Sequence, residues 1–73
     1  MNAADMETAQ EAFGKLLALD PAHAAGHYQM GMIFVNKGEN ASAITHLEKY
    51  LELEPEGAQA ATAKGILDYL KQN

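Results

Sequence analysis

Apolar residues return every three or four positions along most of this chain, which is the spacing of amphipathic α-helices. The pattern predicts an all-α fold of four helices joined by short connections, so that neighbouring helices run antiparallel. The predicted helices extend from about Asp5 to Leu19, from about Pro21 to Asn36, from Glu39 or Asn40 to the turn at Pro55, and from about Ala58 to Lys71.

Each predicted helix has an apolar side that should face the core. In the first helix this side contains Met6, Ala9, Phe13, Leu16 and Leu17; in the third, Ala43, Ile44, Leu47, Tyr50 and Leu51; in the fourth, Ala58, Ala61, Gly65, Ile66 and Tyr69. The second helix is apolar on two sides, one with His27, Met30, Gly31 and Phe34 and the other with Tyr28, Met32 and Val35. It must therefore be covered on two faces, and the small Gly31 lets a neighbouring helix approach closely.

Helix boundaries are predicted from local signals. Asp5 can cap the first helix, and Asp20 followed by Pro21 should end it, because the residue before a proline is pushed out of the helical region. Pro21 can equally lie in the first turn of the second helix, with Asp20 as its N-cap. Gly38 should end that helix by adopting the left-handed conformation.

The chain also repeats itself with a period of 34 residues. Pro21 and Pro55 are 34 residues apart and end similar runs, and the same distance separates Gly31 from Gly65. Matching positions before the two prolines hold Ala9 and Ala43, then Phe13 and Leu47. A fixed period of this length is typical of stacked helical repeats.

These residues resemble the tetratricopeptide repeat, whose pattern is Trp-x2-Leu-Gly-x2-Tyr, then Ala-x3-Phe, then Pro. Here the pattern stands as His27-x2-Met30-Gly31-x2-Phe34, then Ala43-x3-Leu47, then Pro55. The resemblance implies one helical repeat domain over residues 1–73, made of a half repeat at 5–23, a full repeat at 24–57 and a closing helix at 58–71.

Some departures from the family pattern change the polarity, charge or size of the side chain. His27 stands where the family has a large aromatic residue, and Tyr50 where it usually has a small one. In the closing helix, Lys64 and Asp68 replace apolar residues. Charged residues there suit the wetter outer face of a terminal repeat.

The resemblance implies a protein–protein interaction module, because members of this family bind partners on a concave face lined mainly by the first helix of each pair. Carried over by position, the concave face contains Ala25, Tyr28, Gln29, Met32, Val35, Asn36, Gln59, Thr62 and Ile66. Some members grip the C-terminal carboxylate of a chaperone there with lysine, arginine and asparagine. Those residue types are absent from the corresponding slots, and Asn36 lies one turn beyond them. Their absence argues against a chaperone C-terminus as the partner.

The methionine, tyrosine and valine of the concave face instead suit an apolar helix or extended peptide of another protein. A competing interpretation is that neighbouring helices simply cover this apolar stripe. A further alternative is a structural role, as an oligomerisation or end-capping segment of a longer array. In that case Phe13, Leu16 and Leu17 of the first helix are the candidates for self-association, for example as a homodimer.

Composition and charge narrow the partner class. Ten acidic and five basic residues give a net charge of −5, and all five basic residues are lysines. Polyanion binding needs clustered cations, so neither nucleic acid nor an anionic membrane is a predicted partner. No apolar run is long enough to cross a membrane, and residues 1–11 lack the basic start and apolar core of a secretory signal. Together with the absence of cysteine, this favours a cytoplasmic location.

Chemical motifs are sparse, and no cofactor, metal site or enzymatic activity is predicted. His23 and His27 are four residues apart on one helix, a spacing that can present two imidazoles to a metal, but a third ligand is missing. His27 is therefore interpreted as a packing residue, and the carboxylates of Glu48, Glu52 and Glu54 as a solvated helix face. A catalytic acid or base would need a partner in a concave pocket, which the pattern does not indicate.

Overall fold

Four helices account for most of the chain. The computed structural model describes the backbone of residues 3–72 and the side chains of residues 6–72. The helices are α1 (Ala3–Leu19), α2 (Ala24–Lys37), α3 (Asn40–Leu53) and α4 (Ala60–Lys71), and no strand occurs within the described residues. Consecutive helices pack on one another, α1 on α2, α2 on α3 and α3 on α4. The predicted all-α architecture is confirmed.

The first two helices begin at other residues than the sequence predicted. α1 already includes Ala3, so Asp5 lies inside the helix. α2 begins at Ala24, and its N-cap is His23, whose Nδ1 accepts a hydrogen bond of 2.9 Å from the Gly26 N–H. The prediction that Asp20 caps this helix is wrong, because an imidazole nitrogen satisfies the orphan N–H that a carboxylate usually accepts.

The turn between α2 and α3 has the predicted conformation. Gly38 is left-handed, with φ of 77° and ψ of 14°. Its N–H donates to the Val35 carbonyl at 3.1 Å, and the Glu39 N–H donates to the Phe34 carbonyl at 2.9 Å. These bonds satisfy carbonyls that the end of a helix would otherwise leave free, so a glycine at this position is required by the turn.

The core is centred on α3. Ala43 and Leu47 have no exposed surface, and Ala63 of α4 is equally buried. Gly31 of α2 lies directly over Leu47: a Cβ at Gly31 would be 2.8 Å from both Cγ and Cδ2 of that leucine. The expected close approach at Gly31 is therefore confirmed, and it lies between α2 and α3, which form the most extensive helix–helix contact in the described residues.

The core-facing side of α4 differs from the prediction. The buried residues are Ala60, Ala63, Leu67 and Leu70, whereas Ala58, Ala61, Gly65 and Tyr69 are exposed and Ile66 is half-buried. The prediction placed Gly65 by its equivalence to Gly31, which faces the helix that follows α2. Within the described residues α4 packs mainly on the preceding helix, so it buries its other side and Gly65 faces open space.

Candidate functional site

The predicted concave face is open in this structure. Six of its nine residues lie on α2, Thr62 and Ile66 lie on α4, and Gln59 is the N-cap of α4. Exposed members are Ala25, Gln29, Asn36, Gln59 and Thr62, and half-buried members are Tyr28, Met32, Val35 and Ile66. None of the nine is buried, so no helix of the described residues covers this face.

Three of the four half-buried members of the concave face are apolar side chains held in place by contact with the core. Tyr28, Val35 and Ile66 each pack with one side against the core, which leaves their other side accessible. None of the nine side chains is an acid, a lysine or a histidine, although the chain carries ten acidic residues and five lysines. The concave face is thus uncharged at neutral pH while the chain as a whole is acidic.

Tyr50 links the helices that carry this face. Its ring is nearly fully buried and lies 5.4 Å, between centroids, from the ring of Tyr28. Its hydroxyl accepts a hydrogen bond of 3.0 Å from the Gln59 N–H, at the start of α4. The sequence placed Tyr50 on the inward side of the third helix and marked it as a departure from the family pattern; the structure shows that it contacts both Tyr28 and Gln59.

Room for Tyr50 comes from a glycine. A Cβ at Gly57 would lie 2.5 Å from the Tyr50 hydroxyl oxygen, closer than any real Cβ contact. The large residue on α3 and the missing side chain in the following turn are therefore complementary. No local sequence signal joins the two positions, which is why sequence reasoning missed this contact.

The self-association candidates face α2. Phe13 and Leu17 pack against the core, and Leu16 and Leu17 both approach Gly26, where a Cβ would lie 3.3 and 3.0 Å from their Cδ2 atoms. All three side chains are half-buried. They hold α1 on α2 and retain accessible apolar surface.

A groove elsewhere on the molecule contains two histidines. It is a groove of about 430 Å³ lined by Pro21, His27, Thr45, His46, Glu48, Lys49 and Glu52, named here the histidine groove. The Nδ1 atoms of His27 and His46 are 3.1 Å apart, and the His27 Nε2 lies 2.7 Å from the Pro21 carbonyl oxygen. His46 also stacks on Phe34, with ring centroids 5.5 Å apart.

The structure thus pairs His27 with His46, and not with His23, whose Nδ1 is occupied by the N-cap hydrogen bond. Residues 27 and 46 are on different helices, and sequence spacing carries no signal for such a contact. Burial, and then the nearby His27 charge, lower the pKa of the His46 imidazole below its ordinary value of 6.5. Within the described residues, no group of three or more metal-binding side chains is present, and no helix has the length and apolar character to cross a membrane.

Comparison with known proteins agrees with the helical stack. The family model described as tetratricopeptide repeat matches residues 1–67. The DnaJ homolog subfamily C member 7 homolog of Schizosaccharomyces pombe is 36% identical over 58 residues, which cover 80% of this chain. The matched part spans 12% of that relative's length, so the similarity concerns one short portion of a much longer protein.

Proposed function

Because this chain belongs to the tetratricopeptide repeat family, a non-catalytic fold of protein–protein interaction, we propose that it binds an uncharged segment of a partner protein on its concave face. The partner segment is an apolar helix or an extended peptide. One observation supports the proposal: none of the nine uncharged residues is buried, and four of them have half-buried apolar side chains.

The chemistry of the concave face defines what it can recognise. Tyrosine and methionine supply contact area with little need for exact geometry, and exposed Gln29 and Asn36 can donate to and accept from a partner's backbone. Without lysine, arginine or histidine, the face has no group to pair with a carboxylate or phosphate. Binding is therefore expected to change little with salt concentration, since salt screens only charge–charge attraction.

A peptide selection tests this proposal. Random twelve-residue peptides displayed on phage are selected on the immobilised chain, and enriched peptides are measured on the wild type and on Met32→Glu. Enriched peptides should be apolar and should bind Met32→Glu at least about tenfold more weakly, because the new carboxylate would be desolvated without a partner. Ala12→Glu, which adds the same charge on an exposed position of α1, is the matched control. Enrichment of charged peptides, or equal binding to Met32→Glu, would contradict the proposal.

A second candidate function is self-association through α1, and it rests on the accessible surface that Phe13, Leu16 and Leu17 retain. Sedimentation equilibrium across a concentration series distinguishes the two functions. A dimer that Leu16→Glu dissociates and Met32→Glu does not would support α1 as the interface. A monomer at all concentrations would exclude self-association and leave the concave face as the binding surface.

A further inference from the structure

The hydrogen bonds of the histidine pair determine where its protons lie. A carbonyl oxygen only accepts, so the His27 Nε2, 2.7 Å from the Pro21 carbonyl, must carry a proton. In the neutral ring this leaves the His27 Nδ1 with a lone pair. The His46 Nδ1, 3.1 Å away, must then carry the proton that it donates to His27. The contact between α2 and α3 thus contains one proton between two facing nitrogens.

We propose that the His27–His46 pair is a pH-sensitive contact between α2 and α3, which accepts one additional proton and is broken by a second. The first added proton binds the free Nε2 of His46, and one proton still lies between the two Nδ1 atoms, so the hydrogen bond between the rings is kept. With two added, both Nδ1 atoms carry protons, and the hydrogen bond is replaced by two cations at contact distance.

The surroundings of the pair do not offset this repulsion. The charged groups of the histidine groove, Glu48, Lys49 and Glu52, all belong to α3. Glu48 pairs with Lys71 of α4 at 2.7 Å, and Lys49 pairs with Glu52 at 3.4 Å. Among the described residues, neither histidine ring forms an ion pair with a carboxylate.

The remaining neighbours of the pair are uncharged. α2 contributes the Phe34 ring, and the turn before α2 contributes the Pro21 carbonyl, while His23 at that turn uses its Nδ1 as the N-cap. A metal ion is a poorer occupant than a proton, because a zinc site needs three or four ligands and the described residues bring no such group together.

The direction of the pH effect follows from the lowered pKa of His46. His46 is harder to protonate in the folded state than in the unfolded state. Its full contribution to stability is therefore present above its ordinary pKa of 6.5. That stability is lost as the pH falls below 6.5 and through the lowered folded-state value. Acid therefore weakens the packing of α2 on α3, which also carries the Gly31–Leu47 contact.

Urea unfolding at about pH 7.5 and about pH 5.5 tests this inference, since histidine is the side chain that titrates between them. His23→Asn serves as the background, because protonated His23 would lose its cap acceptor and asparagine keeps one. In that background the urea midpoint should fall on acidification. Adding His46→Gln should remove more than half of the fall, and an equal fall in both proteins would overturn the proposal.

Nuclear magnetic resonance of the ring protons and nitrogens gives an independent readout on the unaltered chain. His46 should titrate below its ordinary pKa of 6.5. In His27→Gln the pKa of His46 should rise, because burial still lowers it but the nearby His27 charge no longer does. An unchanged pKa of His46 in His27→Gln, or stoichiometric displacement of ring protons by added zinc chloride, would overturn the shared-proton assignment.

Discussion

Replacing Gly31 by alanine tests whether close packing of α2 on α3 determines the fold's stability. A helical glycine costs about 1 kcal/mol relative to alanine, so the substitution by itself favours the helix. Against this gain, the new Cβ would lie 2.8 Å from Cγ and Cδ2 of Leu47, well inside the usual carbon–carbon contact of about 3.5–4.0 Å. Leu47 is fully buried, and Cγ is its branch point, so the whole side chain would have to move.

The chain supplies two matched controls. A Cβ at Gly14 of α1 or at Gly65 of α4 would meet no atom within 4 Å, and both positions are exposed. Gly14→Ala and Gly65→Ala should each raise the free energy of unfolding by about 0.5–1 kcal/mol, the helix term alone. Overpacking of a core costs about 1–3 kcal/mol, so Gly31→Ala should be less stable than either control by about that amount.

Urea unfolding followed by circular dichroism at 222 nm measures all three variants against the wild type. Taking the difference between Gly31→Ala and Gly65→Ala cancels the helix term, since the two positions are equivalent in the 34-residue repeat. If Gly31→Ala proves as stable as the two controls, Leu47 can move at little cost, and close approach at Gly31 is not what holds α2 on α3.

Three further substitutions are expected to lower the free energy of unfolding in the same assay. Tyr50→Phe should cost about 1–2 kcal/mol, because the Gln59 N–H loses its acceptor; an unchanged value would mean that water replaces the hydroxyl. Gly38→Ala should cost about 1 kcal/mol, because an L-residue is strained at φ of 77°, and a neutral result would require a rearranged turn. His23→Ala should cost about 1 kcal/mol and His23→Asn much less, and equal losses would exclude a role of the N-cap bond.

Local signals made much of this fold predictable from the sequence. Gly38 ends α2 as expected, because only glycine adopts its conformation without strain. Gly31 was expected to allow close approach, and its contact with Leu47 confirms this. The 34-residue period then predicted that the four helices stack as successive helical repeats. These features depend on one residue or on regular spacing, and both are visible without three-dimensional information.

The register of α4 could not be predicted in this way. Its sequence offers two apolar lines, one through Ala61 and Gly65 and one through Ala63 and Leu67. Which line is buried depends on the neighbour that packs on the helix, and the repeat pattern alone favoured the wrong one. Likewise, the concave face was predicted by position, but its openness depends on which helices pack beside α2. Contacts between elements, unlike the elements themselves, are properties of the assembled fold.

Two departures from the family pattern, Tyr50 and His27, are informative because each contacts a complementary residue in another element or turn. Tyr50, large where the family has a small residue, fits because Gly57 has no side chain. His27, polar where the family has an aromatic ring, is paired with His46 on the facing helix. Lys64 and Asp68 are exposed on the side of α4 that no described helix covers. A substitution that restores the family residue at only one member of such a pair should therefore destabilise this chain. The two members of each pair are in contact, so the effects of substitutions at them on stability are not expected to be additive.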